Sequence, residues 1–195
     1  MTFEEYFNKT YGEDYSHLIL ESPVEIEPID RHHLNNDWSN YDQAGFIIKS
    51  GTLENEFEGL QVYYHKRFPE DEEHLFFIHG GRIVAAQIDY SLRGDGVVIN
   101  FAWKRKGAWG SIMPRIYSQY LLDRYKFIQS DNGQTVKGFG IYKEMIQRQD
   151  FYNIRMNVRN ILTDEEYPLN TLEDLAKYFG KGMEYSKYVF KIYRR

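Results

Sequence analysis

A short cationic turn between an apolar strand and a helix is the segment of this sequence best suited to hold a ligand. The pattern predicts the strand over residues 97–103, the turn over residues 104–110 and the helix over residues 111–125. The first N–H groups of a helix have no partner within it and lie at the positive end of its dipole, so they favour an anion. The expected ligand is therefore phosphorylated. The residues expected to bind it are Lys104, Arg105, Lys106, Gly107, Ala108, Trp109, Gly110 and Ser111.

The next apolar segment, residues 127–131, ends in Ser130 and Asp131 and precedes a second predicted helix. Ligands collect beyond the carboxyl ends of such strands, where Asp131 would contact a substrate or act as a base. In the alternative interpretation, Asp131 or Thr135 satisfies free backbone N–H groups of the turn or of the next helix. Tyr142, inside that helix, either packs at the edge of the core or faces the same cleft as Ser130 and Asp131.

Composition narrows the classes of function. The chain has 195 residues and a formal net charge of −5, which argues against a protein that coats nucleic acid with a broad basic surface. It contains no cysteine, which excludes disulfides, a thiolate nucleophile and a Cys-ligated zinc site. The histidines, among them His32, His33 and His79, show no helical spacing with a third candidate ligand, so no metal site is predicted.

Other features of the sequence predict a cytoplasmic protein that does not enter a membrane. The N-terminus is acidic and lacks the apolar core of a signal peptide. No run approaches the roughly 20 apolar residues that a membrane-spanning helix needs. The aromatic content of 17% is high, and because bulky rings favour strands, a substantial sheet is expected.

The periodicity of the chain predicts a mixed sheet with helices packed on it. Turn signals at Gly80-Gly81 and over residues 93–96 join three strands into an antiparallel meander. Thr171 and Asp174 resemble a capping box that begins a late helix. Loops are expected over residues 31–43 and 68–73. The predicted helices cover residues 2–11, 111–125, 136–149 and 171–180, and the predicted strands cover residues 23–29, 44–49, 60–65, 75–78, 82–92, 97–103, 127–131, 151–158 and 185–193.

The predicted fold class is α+β (mixed α/β) in a single domain over residues 1–195. An antiparallel meander is followed by a parallel βαβ pair formed by residues 97–103 and 127–130, with helices on both faces of the sheet. This order resembles the GNAT fold of the acetyl-CoA-dependent N-acetyltransferases. The resemblance covers about residues 76–158. The predicted core of the domain is residues 74–158. Residues 171–195 would add a closing helix and strand, and residues 1–70 a divergent N-terminal part.

The pyrophosphate loop of that family carries the pattern Arg/Gln-x-x-Gly-x-Gly/Ala. Here Lys104 stands three residues before Gly107, Trp109 occupies the place of a small residue, and Gly110 follows one position later. The match is therefore degenerate. The resemblance implies that acetyl-CoA is the cofactor and that its pyrophosphate binds at this turn.

A second resemblance is to a divergent, phage-associated branch of GNAT-like proteins, and it extends to DNA base-modifying proteins of the Mu type. The residues that carry it are Ile116-Tyr117, Phe127-Ile128-Gln129-Ser130-Asp131, Gly133-Gln134-Thr135, Gly138 and Ile141-Tyr142. The resemblance implies an acyltransferase that moves an acetyl group from acetyl-CoA to an amine. It also implies that Tyr142 protonates the departing thiolate, while Asp131 or a water molecule takes the proton of the amine.

Two alternatives use the same scaffold. A nucleic-acid base modifier would stack bases on Trp103 and Trp109 and grip phosphates with Lys104, Arg105 and Lys106, although the net charge does not favour nucleic acid. A non-catalytic phage protein would instead bind a host protein through its tyrosine-rich surface. The expected partner in the leading hypothesis is an amine acceptor, either a small molecule or a protein.

Overall fold

The computed structural model describes residues 41–67, 72–105, 111–133, 136–179 and 185–195. These residues form a mixed α and β structure whose strands are mostly antiparallel. They fall into two compact units, with the boundary between Ile128 and Gln129. We call them the meander unit (the described residues up to 128) and the C-terminal unit (the described residues from 129). No helix among the described residues is long and apolar enough to cross a membrane.

The meander unit is built on five consecutive antiparallel strands. Strand order within it is β1-β2-β3-β4-β5, with β6 beginning next to β5. This confirms the predicted meander. The elements are α1 (Tyr41–Ser50), β1 (Thr52–Phe57), β2 (Leu60–Arg67), β3 (Glu72–His79), β4 (Ile83–Arg93), β5 (Gly96–Lys104), α2 (Ile112–Arg115) continued as a π-helix (Ile116–Leu121), and β6 (Phe127–Ser130).

Helices cover both faces of the sheet in the meander unit. On one face, Ala44 and Ile47 of α1 pack with Phe76. On the other, the ring of Tyr120 in the π-helix lies 5.3 Å from the ring of Phe77. Because successive side chains of a strand point to opposite faces, neighbouring residues of β3 serve the two layers, and β3 and β4 are buried along most of their length.

The C-terminal unit contains three antiparallel strands and three helices. Within it the strand order is β6-β9-β7-β8, and β7 pairs antiparallel with both β8 and β9. Its core includes a stack of rings in which Phe179 lies 4.9 Å from Phe139 and 5.8 Å from Phe190. The elements are α3 (Val136–Gln147), α4 (Gln149–Tyr152), β7 (Ile154–Asn160), β8 (Glu166–Pro168), α5 (Leu172–Tyr178) and β9 (Tyr188–Arg194).

The capping box predicted for the late helix is confirmed. The Thr171 hydroxyl accepts a hydrogen bond from the Asp174 N–H at 3.1 Å, and the Asp174 carboxylate accepts one from the Thr171 N–H. The two hydrogen bonds satisfy backbone donors that the first turn of α5 leaves without helical partners.

Two sequence predictions near the start of the meander unit were wrong or incomplete. Residues 44–49 form part of helix α1, not a strand, and residues 41–43, predicted as loop, belong to the same helix. The apolar residues 44, 47 and 48 are spaced as on one face of a helix, which the short window did not resolve. Strand β1 was missed because it is exposed along nearly its whole length and shows no apolar alternation.

Smaller corrections concern where elements end. Glu72 and Glu73 belong to β3, not to the predicted acidic loop. Residues 151–152 lie in α4, and Asn153, with a left-handed φ of 51°, ends that helix before β7 begins. The predicted helix over residues 111–125 ends at Leu121. The predictions for residues 2–11, 23–29, 31–40 and 68–71 lie outside the described residues.

Gly96 is required for close packing at the start of β5. A Cβ at this position would lie 2.5 Å from the ring of Phe127, closer than any real contact, and Lys126 N–H bonds the Asp95 carbonyl beside it at 2.8 Å. We expect Gly96→Ala to lower the free energy of unfolding by roughly 1–3 kcal/mol, because the ring must move out of a packed position. Urea unfolding measures this change.

In a Phe127→Ala background the same Gly96→Ala substitution should cost much less, since the obstructing ring is gone. An equal cost in both backgrounds would show that backbone conformation, not the ring, makes glycine necessary.

Candidate functional site

Ser130 is the centre of a hydrogen-bonded group at the end of β6. Its hydroxyl donates to the Asp131 carbonyl oxygen at 2.7 Å and accepts from the Phe190 N–H of β9 at 2.9 Å. The Tyr142 hydroxyl lies close enough to Ser130 for the two side chains to interact. The two hydrogen bonds use the one proton of the serine hydroxyl and one of its two lone pairs. The contribution of Ser130 is therefore to position its neighbours.

Tyr142 is buried on the inner side of α3. Only 9% of its surface is exposed, and its ring lies 5.0 Å from that of Phe190. Burial raises the pKa of the Tyr142 hydroxyl above its ordinary value, and the nearby Asp131 carboxylate raises it further. Tyr142 is consequently protonated at neutral pH. The Tyr142 side chain therefore packs in the core, with its hydroxyl close to Ser130.

Asp131 is partly buried where β6 ends. Its Oδ1 accepts a hydrogen bond from the Gly133 N–H at 3.1 Å, which forms a turn of the kind expected for an aspartate in this position. Burial raises the pKa of the Asp131 carboxyl from 3.8 to about 6, against the opposing effect of that hydrogen bond. A carboxyl with such a pKa exchanges its proton near neutral pH, which suits a general base.

The cationic turn is described only at its two ends, since residues 106–110 lie outside the described ranges. Lys104 is exposed and pairs in the sheet with Ala86. The Arg105 Nε donates to the Val84 carbonyl at 3.1 Å, so this guanidinium is tied to β4 through one of its donors. Ser111 precedes α2 and makes no side-chain capping bond.

The local sequence explains the irregular helix that follows the turn. Pro114 lies within the first turn of α2, where its missing N–H costs nothing. The Ser118 hydroxyl donates to the Pro114 carbonyl at 2.7 Å, and the Leu122 N–H bonds the Tyr117 carbonyl five residues back at 3.1 Å. Such π-helical turns occur often near functional sites.

Sequence reasoning missed a buried polar group on the face of the meander sheet that α1 covers. His74 and Asp89 are direct cross-strand neighbours on β3 and β4, with Nδ1 and Oδ1 2.8 Å apart. The Gln87 Nε2 donates to the same Asp89 oxygen at 2.7 Å. All three side chains are almost fully buried. The available signal was the alternation of Gln87 and Asp89 within an otherwise apolar strand.

The polar group continues along the same face toward the start of β3. Asn100 donates to Glu72 at 3.0 Å and to Ser91 at 2.7 Å. A β-bulge between β4 and β5, after Asp89, changes the register there and gives Asn100 this position.

The described residues contain no cluster of three or more His, Asp or Glu side chains that could hold a metal ion. Comparison with protein-family models, with curated proteins and with solved structures finds no match to this chain.

The raised pKa of Asp131 predicts a pH-dependent cost in stability. The folded-state pKa lies above the unfolded value, so this group favours the folded state most below about pH 4 and loses that contribution as pH rises through about 6. Asp131→Asn removes the ionisation and keeps an acceptor for the Gly133 N–H. At pH 7.5 it should raise the free energy of unfolding by up to roughly 3 kcal/mol, from about two pKa units at 1.36 kcal/mol each.

Urea unfolding of both proteins at about pH 4 and 7.5 tests this expectation. The difference between them should vanish at the lower pH. A variant that is no more stable than wild type at pH 7.5 would show that the Asp131 carboxylate is well solvated.

The His74–Asp89 pair should be strongly coupled. His74→Ala leaves the fully buried Asp89 without its imidazole partner and is expected to cost about 3–5 kcal/mol of stability. Asp89→Leu in the same background should recover part of that loss, because no buried carboxylate then remains. A double-mutant cycle by urea unfolding measures the coupling, and additive single effects would contradict it.

Proposed function

We propose that the protein transfers an acyl group, acetyl in the first instance, from acetyl-CoA to an amine acceptor. The observation that carries the proposal is the Asp131 carboxyl, held where a strand ends, partly buried, with a pKa near 6 and with the protonated Tyr142 beside it. A base and an acid whose environments push their pKa values apart are the usual requirement for acid–base catalysis.

Ionised Asp131 takes the proton that the amine loses as its nitrogen bonds to the acetyl carbon, and the carbon–sulfur bond of the donor breaks. Tyr142 is the proposed proton source for the departing sulfur, with its hydroxyl oriented by Ser130. Acetyl-CoA, when bound, supplies the activated thioester, and most of the acceleration would come from positioning the two reactants.

The described ends of the cationic turn fit a pyrophosphate in part. Lys104 is exposed, and the Ser111 side chain does not cap the first turn of α2. Arg105 supports the fit less, because its Nε already bonds the Val84 carbonyl. The parallel pairing of residues 97–103 with 127–130, which the GNAT arrangement requires, is part of this proposal.

A non-catalytic binding protein is the second candidate. It is favoured by the burial of Tyr142, which is only 9% exposed, and by the two hydrogen bonds that tie the Ser130 hydroxyl to the backbone. A base-modifying function has less support, because Trp103 packs against the buried cluster that includes Ile47 and Phe76.

Replacement of Asp131 separates the two candidates. In an acyltransferase, Asp131→Asn should lower kcat about 10²–10⁴-fold with little change in the affinity for acetyl-CoA, because the base acts only on the amine. Turnover is measured by thiol release against a panel of amines, and affinity by calorimetry. Glu173→Gln, which removes an exposed carboxylate of α5, is the matched control and should have wild-type turnover.

Two results would oppose the acyltransferase: full turnover in Asp131→Asn, or the absence of calorimetric binding of both acetyl-CoA and CoA to the wild-type protein. The second result, combined with a stable complex isolated from a host lysate, would favour the binding protein.

Charge reversal at the cationic turn tests cofactor binding directly. Lys104→Glu together with Lys106→Glu should weaken CoA binding at least tenfold, about 1.4 kcal/mol, because two attractive contacts with pyrophosphate become repulsive. Lys177→Glu is a control on an exposed lysine of the C-terminal unit. Unchanged CoA affinity in the double variant would refute a pyrophosphate site at this turn.

A further inference from the structure

A second chemically distinctive group lies on the face of the meander sheet that the π-helix covers. Glu73 of β3 is the direct cross-strand neighbour of Tyr90, and its carboxylate lies close enough to the hydroxyls of Tyr64 and Tyr90 to act on their ionisation. The Tyr90 hydroxyl lies 3.2 Å from that of Tyr125, and the two rings meet at 61° with centroids 5.8 Å apart. Tyr90 is buried, whereas Tyr64, Glu73 and Tyr125 are half-exposed, so the group opens to solvent.

A second carboxylate joins this group from the neighbouring strand. Glu54 is the extra residue of a β-bulge in β1, and it accepts a hydrogen bond from the Tyr120 hydroxyl at 2.7 Å. It also lies close enough to Tyr64 and Tyr125 to act on their ionisation. We call the six residues Glu54, Tyr64, Glu73, Tyr90, Tyr120 and Tyr125 the tyrosine–glutamate cluster.

The cluster already holds one cation of the chain itself. The Arg124 guanidinium carbon lies 3.7 Å from the centroid of the Tyr120 ring, which is a close cation–π contact, and Arg124 donates to the Tyr120 carbonyl at 2.9 Å. Tyrosine faces and carboxylates in this part of the fold therefore present the surroundings that an organic cation prefers.

The charges of the cluster do not balance within the described residues. Burial and the nearby carboxylates raise the pKa of Tyr64 to about 12, and the pKa values of Tyr90, Tyr120 and Tyr125 are also raised, so the phenols are neutral. The carboxylates of Glu54 and Glu73 thus carry two negative charges, and the Arg124 guanidinium supplies one positive charge. Lys66 lies opposite Glu73 in the strand register, yet no described cation forms an ion pair with Glu73 or Glu54.

We propose that the tyrosine–glutamate cluster binds the ammonium group of a small organic cation, with Glu73 as its counter-ion and the Tyr64 and Tyr125 rings as its walls. A carboxylate removed from bulk water gains most from a cation that is itself weakly hydrated, and ring faces favour such a cation further. The binding site does not depend on the proposed acyl transfer, since none of its residues belongs to that machinery.

The test compares n-butylammonium chloride with the neutral n-butanol, each titrated at constant ionic strength into the full chain and followed by two-dimensional NMR. The wild-type protein should bind n-butylammonium saturably, with shifts centred on the tyrosine–glutamate cluster, and should not bind n-butanol there. Glu73→Gln keeps the hydrogen-bonding shape and should weaken n-butylammonium binding at least tenfold, about 1.4 kcal/mol. Glu56→Gln, an exposed glutamate of β1, is the control and should bind as wild type does.

A pair of substitutions at Tyr64 separates the ring from the hydroxyl. Tyr64→Phe keeps the cation–π surface and should retain most of the affinity, whereas Tyr64→Leu should lose several-fold. This pair also keeps the proposal testable if Glu73→Gln does not fold. The proposal is overturned by unsaturable binding to the wild type, by equal binding of n-butanol, or by a Glu73→Gln variant that binds as tightly as wild type. Acyl-transfer activity is a separate measurement, so each proposal can fail alone.

Discussion

Strands β3 and β4 are buried on both faces, and every polar side chain they carry must find a partner within the sheet layer or the helices against it. A buried polar atom without a hydrogen bond costs about 1–3 kcal/mol, and a buried charge costs more. Cross-strand pairing meets most of this requirement. His74 and Asp89 meet on one face, and Glu73 and Tyr90, also direct neighbours in the register, meet on the other.

The same constraint explains why these groups are chemically unusual. A hydrogen bond to a carboxylate replaces only part of the hydration that burial removes, so the group retains a preference for further donors or cations. On the α1 face, the buried Gln87 Oε1 has no hydrogen-bond partner among the described residues. On the π-helix face, Glu73 lies beside two phenols and forms no ion pair with a described cation. The two faces therefore solve the same problem differently, one with an imidazole and the other with phenols.

In the C-terminal unit, the pairing of buried polar groups depends largely on one side chain, Ser130. Ser130 sits between the end of β6, strand β9 and helix α3, and its hydroxyl bonds the backbone of the first two. The buried hydroxyl of Tyr142 lies close to it. Asp131, one residue later, accepts a hydrogen bond from the Gly133 N–H, and its partial burial raises its pKa. Ser130, which is held by hydrogen bonds, and Asp131, which titrates near neutral pH, are thus consecutive in the sequence.

Local patterns predicted much of the fold. Gly80-Gly81 and the apolar runs on each side gave the central hairpin, because backbone at positive φ and alternating burial leave a direct mark on the sequence. Strand β1 left no such mark, since an exposed edge strand needs no apolar face. The end of a predicted strand identifies Ser130 and Asp131 as candidates, and the resemblance to the GNAT fold identifies Tyr142. His74, Asp89 and Gln87 could not be identified in this way, because their significance lies in a cross-strand register that the sequence does not show.

Burial also decides where chemistry in the C-terminal unit would have to take place. A general acid that donates directly must reach its substrate, and Tyr142 is only 9% exposed, with its hydroxyl facing Ser130. Asp131 is more exposed, and its proton exchanges near neutral pH. An acyl-transfer mechanism therefore depends first on Asp131, and Tyr142 contributes either after a movement of α3 or by holding Ser130 in place. In the binding protein, the raised pKa of Asp131 would be only a cost of folding, with no catalytic use. The two functions therefore predict different effects of replacing Asp131. In the enzyme, the replacement lowers turnover and raises the free energy of unfolding. In the binding protein, it only raises the free energy of unfolding.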